Sequence, residues 1–397
     1  MSEITLSQRV QAIKPSPTLA VTGRARELRA AGHDVIGLGA GEPDFDTPQH
    51  IKEAGIKAIK AGATKYTAVD GTPELKNAII DKFKRENALE YAPEQVLVSA
   101  GAKHSLFNLF QALLNPGDEV VIPAPYWVSY PDLAIMAEAK PVIITTDFEH
   151  SFKVTPEQLD RAITPRARLV ILNSPSNPTG CHYTPAELEA LGGVLAGHPD
   201  LVVATDDIYE HILWTDEPFR NIVNMRPELK ERTVVVNGVS KAYAMTGWRI
   251  GYAAGDARLI GAMKKIQSQS TSNPCSISQA AAVAALAGDQ ACIAPMCQAF
   301  KQRHDAVVSR LNATKGVRAL PSDGTFYTFP DFSEAIAATP GAEDDTAMAG
   351  LILERAGVAL VPGSAFGGPG HMRLSYATDM DTLNDALDRL QNMLGAK

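Results

Sequence analysis

The feature that most constrains the fold of this chain is an alternation of short apolar runs with helical segments between about residues 96 and 255. Seven runs rich in β-branched residues are predicted strands, at residues 96–98, 120–122, 142–145, 169–172, 201–205, 234–236 and 250–253. Three segments between them are predicted helices, at residues 103–114, 156–163 and 185–195. Because the strands are continuously apolar, we expect helices to cover both faces of the sheet that they form. The pattern therefore predicts an α/β fold built on a mainly parallel sheet.

A second region begins near residue 300, where the regular alternation of apolar runs and helical segments ends. It contains a long helical stretch (290–311), a hairpin-like alternation (316–332), a helix (346–356) and strands at 358–361 and 371–377. This order of elements predicts a smaller α+β domain. The first 47 residues cannot form a core alone, so we expect them to pack on the smaller domain or on a partner subunit. The predicted division is a large domain at 48–295 and a small domain made of 1–47 and 296–397.

Composition and net charge argue against several classes of protein for this sequence. The 397 residues carry a formal net charge of −8, which argues against nucleic acid or an anionic membrane as the main partner. The four cysteines form no C-x-x-C pair and have no histidines at zinc-finger spacing, so free thiols and no metal site are expected. The sequence starts without an apolar leader and has no apolar run long enough to cross a bilayer. We therefore expect a cytosolic protein that acts on small molecules.

Polar residues at strand ends indicate a ligand site, since ligands of parallel α/β sheets collect beyond the carboxyl ends of the strands. Gly101 and Ala102 follow one strand and open a helix, where backbone N–H groups can face a phosphate. The alternative is a tight turn that needs glycine. Asn177 follows another strand and precedes a proline, which keeps it extended. Its side chain can bond a ligand, or it can form an Asx-type turn.

Asp206 ends the next apolar run, and a carboxylate at the end of a buried strand is costly unless a cation meets it. Tyr209 lies three residues later, so both side chains can reach one ligand if the chain turns helically there. The alternative for Asp206 is a helix N-cap, a position that favours aspartate.

Two cations stand in the apolar segment VSKAYAMTGWRIGYAAG, residues 239–255. Loss of water around Lys241 would lower the pKa of its amine and make it a nucleophile toward an aldehyde. Arg249 can clamp a phosphate through its planar guanidinium. The alternatives are a lysine with its amine in solvent and an arginine in a structural salt bridge. Together with the acid, the amide and the phenol, these residues indicate pyridoxal 5′-phosphate, which offers an aldehyde, a phosphate, a ring nitrogen and a phenolic oxygen.

Seven motifs spread along the chain carry a resemblance to a known family. They are AGEPDFDTP (40–48), KYTAVDGTPELK (65–76), PYWVSYP (125–131), NSPSNPTG (173–180), DDIYEH (206–211), SKAYAMTGWRIGYAAG (240–255) and MRLSYA (372–377). The chain resembles the class I aminotransferases, which are pyridoxal-phosphate enzymes of fold type I. Within them it is most similar to bacterial aspartate aminotransferases, some of which also use prephenate. The resemblance implies a large domain with a mainly parallel seven-stranded sheet covered by helices, plus a smaller α+β domain.

The resemblance also implies roles around the cofactor ring. Lys241 would form the Schiff base and then move the proton at the substrate Cα. Asp206 would pair with the pyridinium nitrogen, and Tyr209 and Asn177 would hydrogen-bond the ring phenolate oxygen. Trp127 would stack on the ring. These residues match the family pattern position by position.

The cofactor phosphate is implied to bind at the Gly101–Ala102 turn and Arg249. Tyr66 in the family reaches the phosphate in the neighbouring subunit, so a homodimer is the expected working unit. The expected partners are otherwise small amino acids and 2-oxo acids, with no nucleic acid and no membrane.

Substrate contacts follow from the same resemblance. Arg373 would bind the α-carboxylate, helped by Asn177 and the Gly41 backbone, with Trp127 alongside. Lys103 would meet the distal carboxylate of a dicarboxylic substrate, and the alternative is a first-turn helix residue that faces solvent. An ammonium holds a carboxylate less rigidly than a bidentate arginine, which leaves room for bulkier acids such as prephenate.

The implied reaction moves an amino group between L-aspartate or L-glutamate and 2-oxoglutarate or oxaloacetate by a ping-pong mechanism. Conversion of prephenate to arogenate is a further expectation, since Thr18 matches relatives that accept prephenate. An aromatic or alanine-type aminotransferase is the alternative within the family. Two positions depart from the family pattern: Gly238 replaces a common hydroxyl residue at the phosphate, and Thr325 replaces a common alanine.

Two other classes of protein are disfavoured. A nicotinamide oxidoreductase is suggested by GLGAGEP (37–43), but Pro43 and the DFDTP that follows it are incompatible with the helix such a motif requires. A non-catalytic sensor domain of a regulator would need an attached DNA-binding segment. We expect none, because aminotransferase motifs already occupy the start of the sequence.

Overall fold

The structure is a computed structural model that describes residues 4–15 and 17–397. Its strands are β1 (Ile36–Gly37), β2 (Val96–Ser99), β3 (Glu119–Ala124), β4 (Lys140–Thr145), β5 (Ala167–Asn173), β6 (Val202–Asp206), β7 (Thr233–Gly238), β8 (Gly251–Ala254), β9 (Tyr327–Thr328), β10 (Val358–Ala359), β11 (Val361–Pro362) and β12 (Met372–Ser375). Its α-helices are α1 (Gln8–Ala12), α2 (Pro17–Ala30), α3 (Gln49–Lys60), α4 (Pro73–Asn87), α5 (Ala102–Leu113), α6 (Ser129–Met136), α7 (Pro156–Ala162), α8 (Pro185–Ala196), α9 (Ile222–Met225), α10 (Ala257–Ser270), α11 (Ser276–Ala287), α12 (Ile293–Asn312), α13 (Ser333–Ala338), α14 (Asp345–Ala356) and α15 (Met380–Leu394). None of these helices is long and apolar enough to cross a membrane.

The central sheet has seven strands in the order β2-β8-β7-β6-β5-β3-β4. Strands β3 to β7 run parallel, whereas β8 is antiparallel to both of its neighbours, β2 and β7. The predicted mainly parallel seven-stranded sheet is confirmed, and every predicted strand end lies within two residues of the observed one.

Buried side chains cover both faces of this sheet. Leu97 and Leu169 belong to a hydrophobic cluster on one face, with residues of α5, α6 and α10. Val98 and Val170 belong to a cluster on the other face, with residues of α4, α8 and α11. Because successive strand residues point to opposite faces, strands buried on both sides must be continuously apolar.

The C-terminal region builds a third cluster around a smaller antiparallel sheet, β11-β12-β9, with α12, α14 and α15. Strand β1 pairs in parallel with β10, and α2 packs on β1, β10 and β11, so this part of the N-terminal segment packs on the C-terminal region as expected. Helix α1 instead contacts α6, and Arg9 pairs with Glu138 at 2.6 Å. The hairpin-like alternation at 316–332 forms the two-residue strand β9 and three isolated bridges, Arg318–Asp331, Leu213–Gly324 and Asp331–His371. Pro321 and Pro330 interrupt a longer ladder there, because proline lacks the N–H donor. The domain boundaries at 47/48 and 295/296 stay a prediction.

Capping boxes fix the starts of α7 and α8. Thr155 and Thr184 each accept a hydrogen bond from the backbone N–H three residues later. Gln158 and Glu187 each accept one from the backbone N–H of the capping threonine. A proline follows each threonine, where its fixed φ suits the first helical position. These local signals explain why both helices begin where the sequence predicts.

A buried charge network ties α4 to the turn that follows β6. Lys82 on α4 is 0% exposed and donates to Glu210 and, at 2.7 Å, to Asn87 Oδ1. Glu210 also accepts from Asn87 Nδ2 at 2.7 Å and from Asn237 Nδ2 at 2.8 Å. Burial raises the pKa of Glu210, but the Lys82 charge and these donors outweigh it and hold that pKa below its usual value. The turn at 206–210 is therefore held from one side by a satisfied ion pair.

Replacing Lys82 by Met should lower the free energy of unfolding by about 3 kcal/mol or more, because Glu210 would stay buried without its charge partner. Urea unfolding followed by circular dichroism measures the change. Lys301→Met is the matched control: it breaks an exposed pair with Asp305 and should cost less than about 1 kcal/mol. Equal losses in the two variants would contradict a structural role for the buried pair.

Candidate active site

The carboxyl ends of the parallel strands border a cavity of about 550 Å³, and α2, β9 and β12 contribute to its wall. Most of the predicted site residues line this cavity: Gly41, Ala102, Lys103, Trp127, Asn177, Asp206, Tyr209, Lys241, Arg249 and Arg373. Gly101 lies directly beside them at the start of α5, and Thr18 of α2 also lines the wall. The sequence prediction and the structure therefore identify the same edge of the sheet.

Lys241 lies in the turn after β7, where its Nζ donates to the Gly41 carbonyl at 2.5 Å. Within the described part of the chain its amine has no acidic partner within 4 Å. Burial, reinforced by the positive charge of Arg373, lowers the pKa of Lys241 to about 8. A substantial fraction of the amine is therefore neutral near pH 8 and can act as a nucleophile or a base.

Asp206 is the last residue of β6 and is 5% exposed. Its Oδ2 accepts from the Tyr130 hydroxyl at 2.7 Å, while its Oδ1 is buried and has no hydrogen-bond partner among the described residues. Burial raises the pKa of Asp206 to about 6, against the lowering effects of the Tyr130 hydroxyl, the Ile208 backbone N–H and the Lys241 charge. The helix N-cap alternative is wrong, because the chain turns at residues 208–211 and the next helix, α9, begins at Ile222. An unpaired carboxylate oxygen facing the cavity suits a cationic ring N–H.

Tyr209 and Asn177 both reach the cavity from different strand ends. The Tyr209 hydroxyl lies 3.1 Å from the Tyr327 hydroxyl, and Asn177 Oδ1 accepts from Arg373 Nη1 at 3.0 Å. The Asn177 side chain is also a candidate for an Asx-type turn, but its Oδ1 bonds Arg373, and the Asn177 backbone N–H donates to Asn173 Oδ1 at 2.9 Å. The side chain of Asn177 therefore serves the cavity and not its own backbone.

The turn between β2 and α5 forms an anion cradle with Arg249. Gly101 has φ +90°, and a Cβ built on it would lie 2.3 Å from Arg249 Nη2, so the turn requires glycine. Arg249 donates to the carbonyls of Thr246 at 2.8 Å and Ala100 at 3.4 Å. It forms no ion pair within residues 4–15 and 17–397, so the structural salt-bridge alternative is wrong. A helix N-terminus beside an uncompensated guanidinium is an anion site.

Two further cations, Arg373 and Lys103, line the cavity. Arg373 on β12 is buried and donates to Asn177 and, at 2.7 Å, to the Gly39 carbonyl, while its Nε is buried without a partner in the described chain. Lys103 lies with its Nζ 4.8 Å from the centre of the Trp127 ring. Burial and the charge of Arg249 lower the pKa of Lys103. Lys103 thus faces the cavity as well as solvent.

Tyr66 is the predicted site residue that the structure does not bring to this cavity, since its side chain is 91% exposed and lies outside the cavity lining. Sequence reasoning missed Tyr130 and Tyr327. Tyr130 lies three residues after Trp127 in the PYWVSYP motif, and this spacing could have placed both side chains on the same side of a helical turn. Tyr327 comes from β9 of the other sheet, so only tertiary structure brings it to Tyr209.

The two departures from the family pattern have different structural settings. A Cβ on Gly238 would lie 3.0 Å from both Gly251 Cα and the Ile250 carbonyl, so a side chain fits there only if the neighbouring strand moves. Thr325 is buried with φ +67°, and its Oγ1 accepts the Tyr327 N–H at 3.1 Å. Thr325 therefore shapes the entry to β9 and does not line the cavity.

Glu86, Glu210 and His211 form a group of metal-ligand type outside the cavity lining, with their ligand atoms within 4.8 Å of one another. Lys82 Nζ lies 3.5 Å from a Glu86 oxygen and bonds Glu210. His211 bonds Glu86 at 2.9 Å. The ammonium of Lys82 supplies the positive charge that a metal would bring, so the group is a salt-bridge network.

Comparisons of the sequence and of the structure with known proteins identify the same family. The profile of the family described as aminotransferase class I and II matches residues 33–390. The aspartate/prephenate aminotransferase of Nitrosomonas europaea is 59% identical over 394 residues, which cover 98% of this chain and 99% of that protein. A crystal structure of the aspartate aminotransferase from Rhizobium meliloti matches with a TM-score of 0.94 at 48% identity, covering 98% of each chain. The Thermus thermophilus aspartate aminotransferase solved with maleate matches with a TM-score of 0.93 at 45% identity, covering 99% of this chain and 100% of that one.

Gly251→Ala should weaken binding of an anionic ligand at the cradle about tenfold or more. A Cβ at this position would lie 2.1 Å from the Ala102 backbone nitrogen, so the N-terminus of α5 must shift. Titration of the cofactor-free protein with pyridoxal phosphate measures the change. Gly261→Ala on α10 is the control, because nothing lies within 4 Å of its added Cβ, and it should leave the affinity unchanged. An unaltered affinity in Gly251→Ala would rule out the cradle.

Asp206→Asn should stabilise the cofactor-free protein at neutral pH by roughly 2 to 3 kcal/mol, because each unit of pKa shift corresponds to about 1.4 kcal/mol. The folded-state pKa of about 6 exceeds the reference value of 3.8, so the native aspartate costs stability as pH rises from about 4 to 6. The stability difference between the variant and the native protein should therefore vanish below about pH 4. Denaturant unfolding across pH measures it, with exposed Asp216→Asn as the control. A pH-independent difference would contradict the buried charge.

Proposed function

Because this chain belongs to the class I and II aminotransferases, we propose that it moves an amino group between L-aspartate or L-glutamate and 2-oxoglutarate or oxaloacetate. The observation that carries the proposal is the meeting in one cavity of Lys241, an amine with a lowered pKa, with the half-paired carboxylate of Asp206 and the buried guanidinium of Arg373. Similarity to the aspartate/prephenate aminotransferase of Nitrosomonas europaea supports aspartate as donor and prephenate as a further acceptor.

The proposed cofactor is pyridoxal 5′-phosphate, and the residues present fit it. When bound, it supplies an aldehyde for amines and a ring that withdraws electrons from the substrate Cα. Lys241 provides the amine, and Asp206, with Tyr130 fixing its Oδ2, leaves its Oδ1 to hold a proton on a ring nitrogen. The N-terminus of α5 and Arg249 provide donors and positive charge for a phosphate.

Residues around these groups would orient the substrate and move its proton. Arg373 would bind the α-carboxylate, and its hydrogen bond to Asn177 fixes the plane of the guanidinium. Tyr209, bonded to Tyr327, offers a phenol to the cofactor's ring oxygen. The neutral amine of Lys241 would then take the proton from the substrate Cα, because its pKa of about 8 suits a general base.

Substrate choice is proposed to depend on Lys103, which lines the cavity without an acidic partner among the described residues. Its ammonium would bind the distal carboxylate of a dicarboxylic substrate, and its flexible stem allows a bulkier acid such as prephenate. The aromatic and alanine-type aminotransferases remain the alternative within the family. A nicotinamide enzyme is disfavoured, since the segment that follows residues 37–41 contains Pro43, and no helix begins between residue 41 and Gln49.

We also propose that the working unit is a homodimer. Tyr66 is exposed and outside the cavity of its own chain, as expected for a residue that serves a neighbouring subunit. The division into domains and the cytosolic location stay predictions.

Lys241→Ala should abolish transamination of aspartate with 2-oxoglutarate and should remove the near-visible absorption of the bound cofactor, because both the bond to the cofactor aldehyde and the removal of the Cα proton are proposed to depend on the Lys241 amine. Steady-state kinetics and absorption spectra measure both effects, and Lys84→Ala, an exposed lysine, is the control. Borohydride reduction followed by mass spectrometry should place the cofactor adduct on residue 241. A coloured, active Lys241→Ala protein would refute the mechanism, and wild-type preference for tyrosine or alanine over aspartate would refute the substrate class.

A further inference from the structure

The cavity wall formed by α2 carries a polar stripe. Thr18, Thr22 and Arg26 all line the cavity and are spaced four residues apart, so they lie on one face of the helix. The Thr18 hydroxyl is buried with no hydrogen-bond partner in the described chain, and Thr22 donates to the Thr18 carbonyl at 2.9 Å. The helical rise places Arg26 about 12 Å along the axis from Thr18. The stripe therefore presents hydrogen-bonding groups along an extended part of the wall.

Arg26 differs from the other arginines of α2 in having no partner among the residues that the structure describes. Arg24 pairs with Glu27 at 3.3 Å, and Arg29 donates to the Val35 carbonyl at 2.7 Å. Across residues 4–15 and 17–397, Arg26 makes no hydrogen bond and no ion pair within 4 Å. A free guanidinium at a ligand cavity has its full donor capacity available for a carboxylate.

In the described part of the chain, neither carboxylate of the cavity lining forms an ion pair with Arg26 within 4 Å. Glu42 accepts from Thr246 at 2.8 Å, and Asp206 accepts from Tyr130. In the mechanism proposed above, Arg373 takes the α-carboxylate and Lys103 takes a distal carboxylate near the Trp127 ring. Lys103 stands on α5, on the side of the large sheet, whereas Arg26 stands on α2, on the side of the small sheets. The two free cations therefore serve different walls of one cavity.

We propose that Arg26 is a specificity-determining residue that binds the second carboxylate of diacids too long to place it on Lys103. This inference rests on the proposed aminotransferase function and extends its substrate class. Short diacids use Lys103. Longer diacids extend along the α2 stripe. There the Thr18 and Thr22 hydroxyls hydrogen-bond polar groups of the ligand, and Arg26 binds its second carboxylate.

The test is a series of non-reacting ligands titrated into the protein loaded with pyridoxal phosphate, with affinity measured by calorimetry. The ligands are maleate, glutarate, adipate, pimelate and, as a monoacid, butyrate. Arg26→Gln should weaken the binding of adipate and pimelate about fivefold and the binding of maleate less than about twofold, as expected for one exposed charge pair. Lys103→Gln should weaken the binding of maleate more than the binding of adipate and pimelate. Arg26→Lys should recover part of the loss, since it keeps the charge without the planar fork.

Arg24→Gln is the matched control, because Arg24 lies on the same helix and pairs with Glu27. It should leave every affinity unchanged. Equal affinities of wild type and Arg26→Gln for all ligands, or an equal loss that includes butyrate, would overturn the proposal. Turnover of aspartate by the wild type is measured separately: its absence would refute the aminotransferase proposal, while a length-dependent loss in Arg26→Gln would still support Arg26 as the diacid site.

Discussion

Asp206 is buried at the end of β6 with one oxygen bonded to Tyr130 and the other without a donor among the described residues. Burying a carboxylate costs free energy unless a cation or several donors meet it, and the raised pKa of this group records that cost. The cavity around it compensates by its composition: the charged residues of its lining are mostly cations. A ligand that brings both a positive ring nitrogen and negative groups satisfies each part of this arrangement at once.

The short turn after β6 faces two environments. Asp206 and Tyr209 face the cavity, whereas Asp207 and Glu210 face the buried network with Lys82. Asp207 accepts from Thr205 and, at 3.1 Å, from Asn221, and burial raises its pKa to about 7. One face of the turn is thus fixed by satisfied polar contacts, which leaves the other face free to hold an unsatisfied carboxylate in place. Rigid support of this kind keeps a functional side chain within the geometry that its ligand needs.

Much of this arrangement was predictable from the sequence because it is encoded locally. Continuous apolar strands with a polar residue at each carboxyl end predict both the sheet and the edge where a ligand binds, and threonine–proline pairs mark helix starts. The antiparallel direction of β8 and the Tyr209–Tyr327 contact were not predictable, because both depend on how distant segments meet. The role of Arg26 was missed for the same reason: its sequence neighbours resemble those of any surface helix, and only the packing of α2 places it at the cavity.

Strand β1 has two residues, Ile36 and Gly37, and its partner β10 lies more than three hundred residues later. The α2 wall of the cavity packs on these strands and on β11, so it has no surface to rest on until the C-terminal region is made. Contacts of such long sequence separation form late, because the loop-closure entropy must be overcome first. A ribosome-bound chain that already has the whole large sheet therefore still lacks one wall of the cavity, and that wall can form only after β10 and β11 have been synthesised.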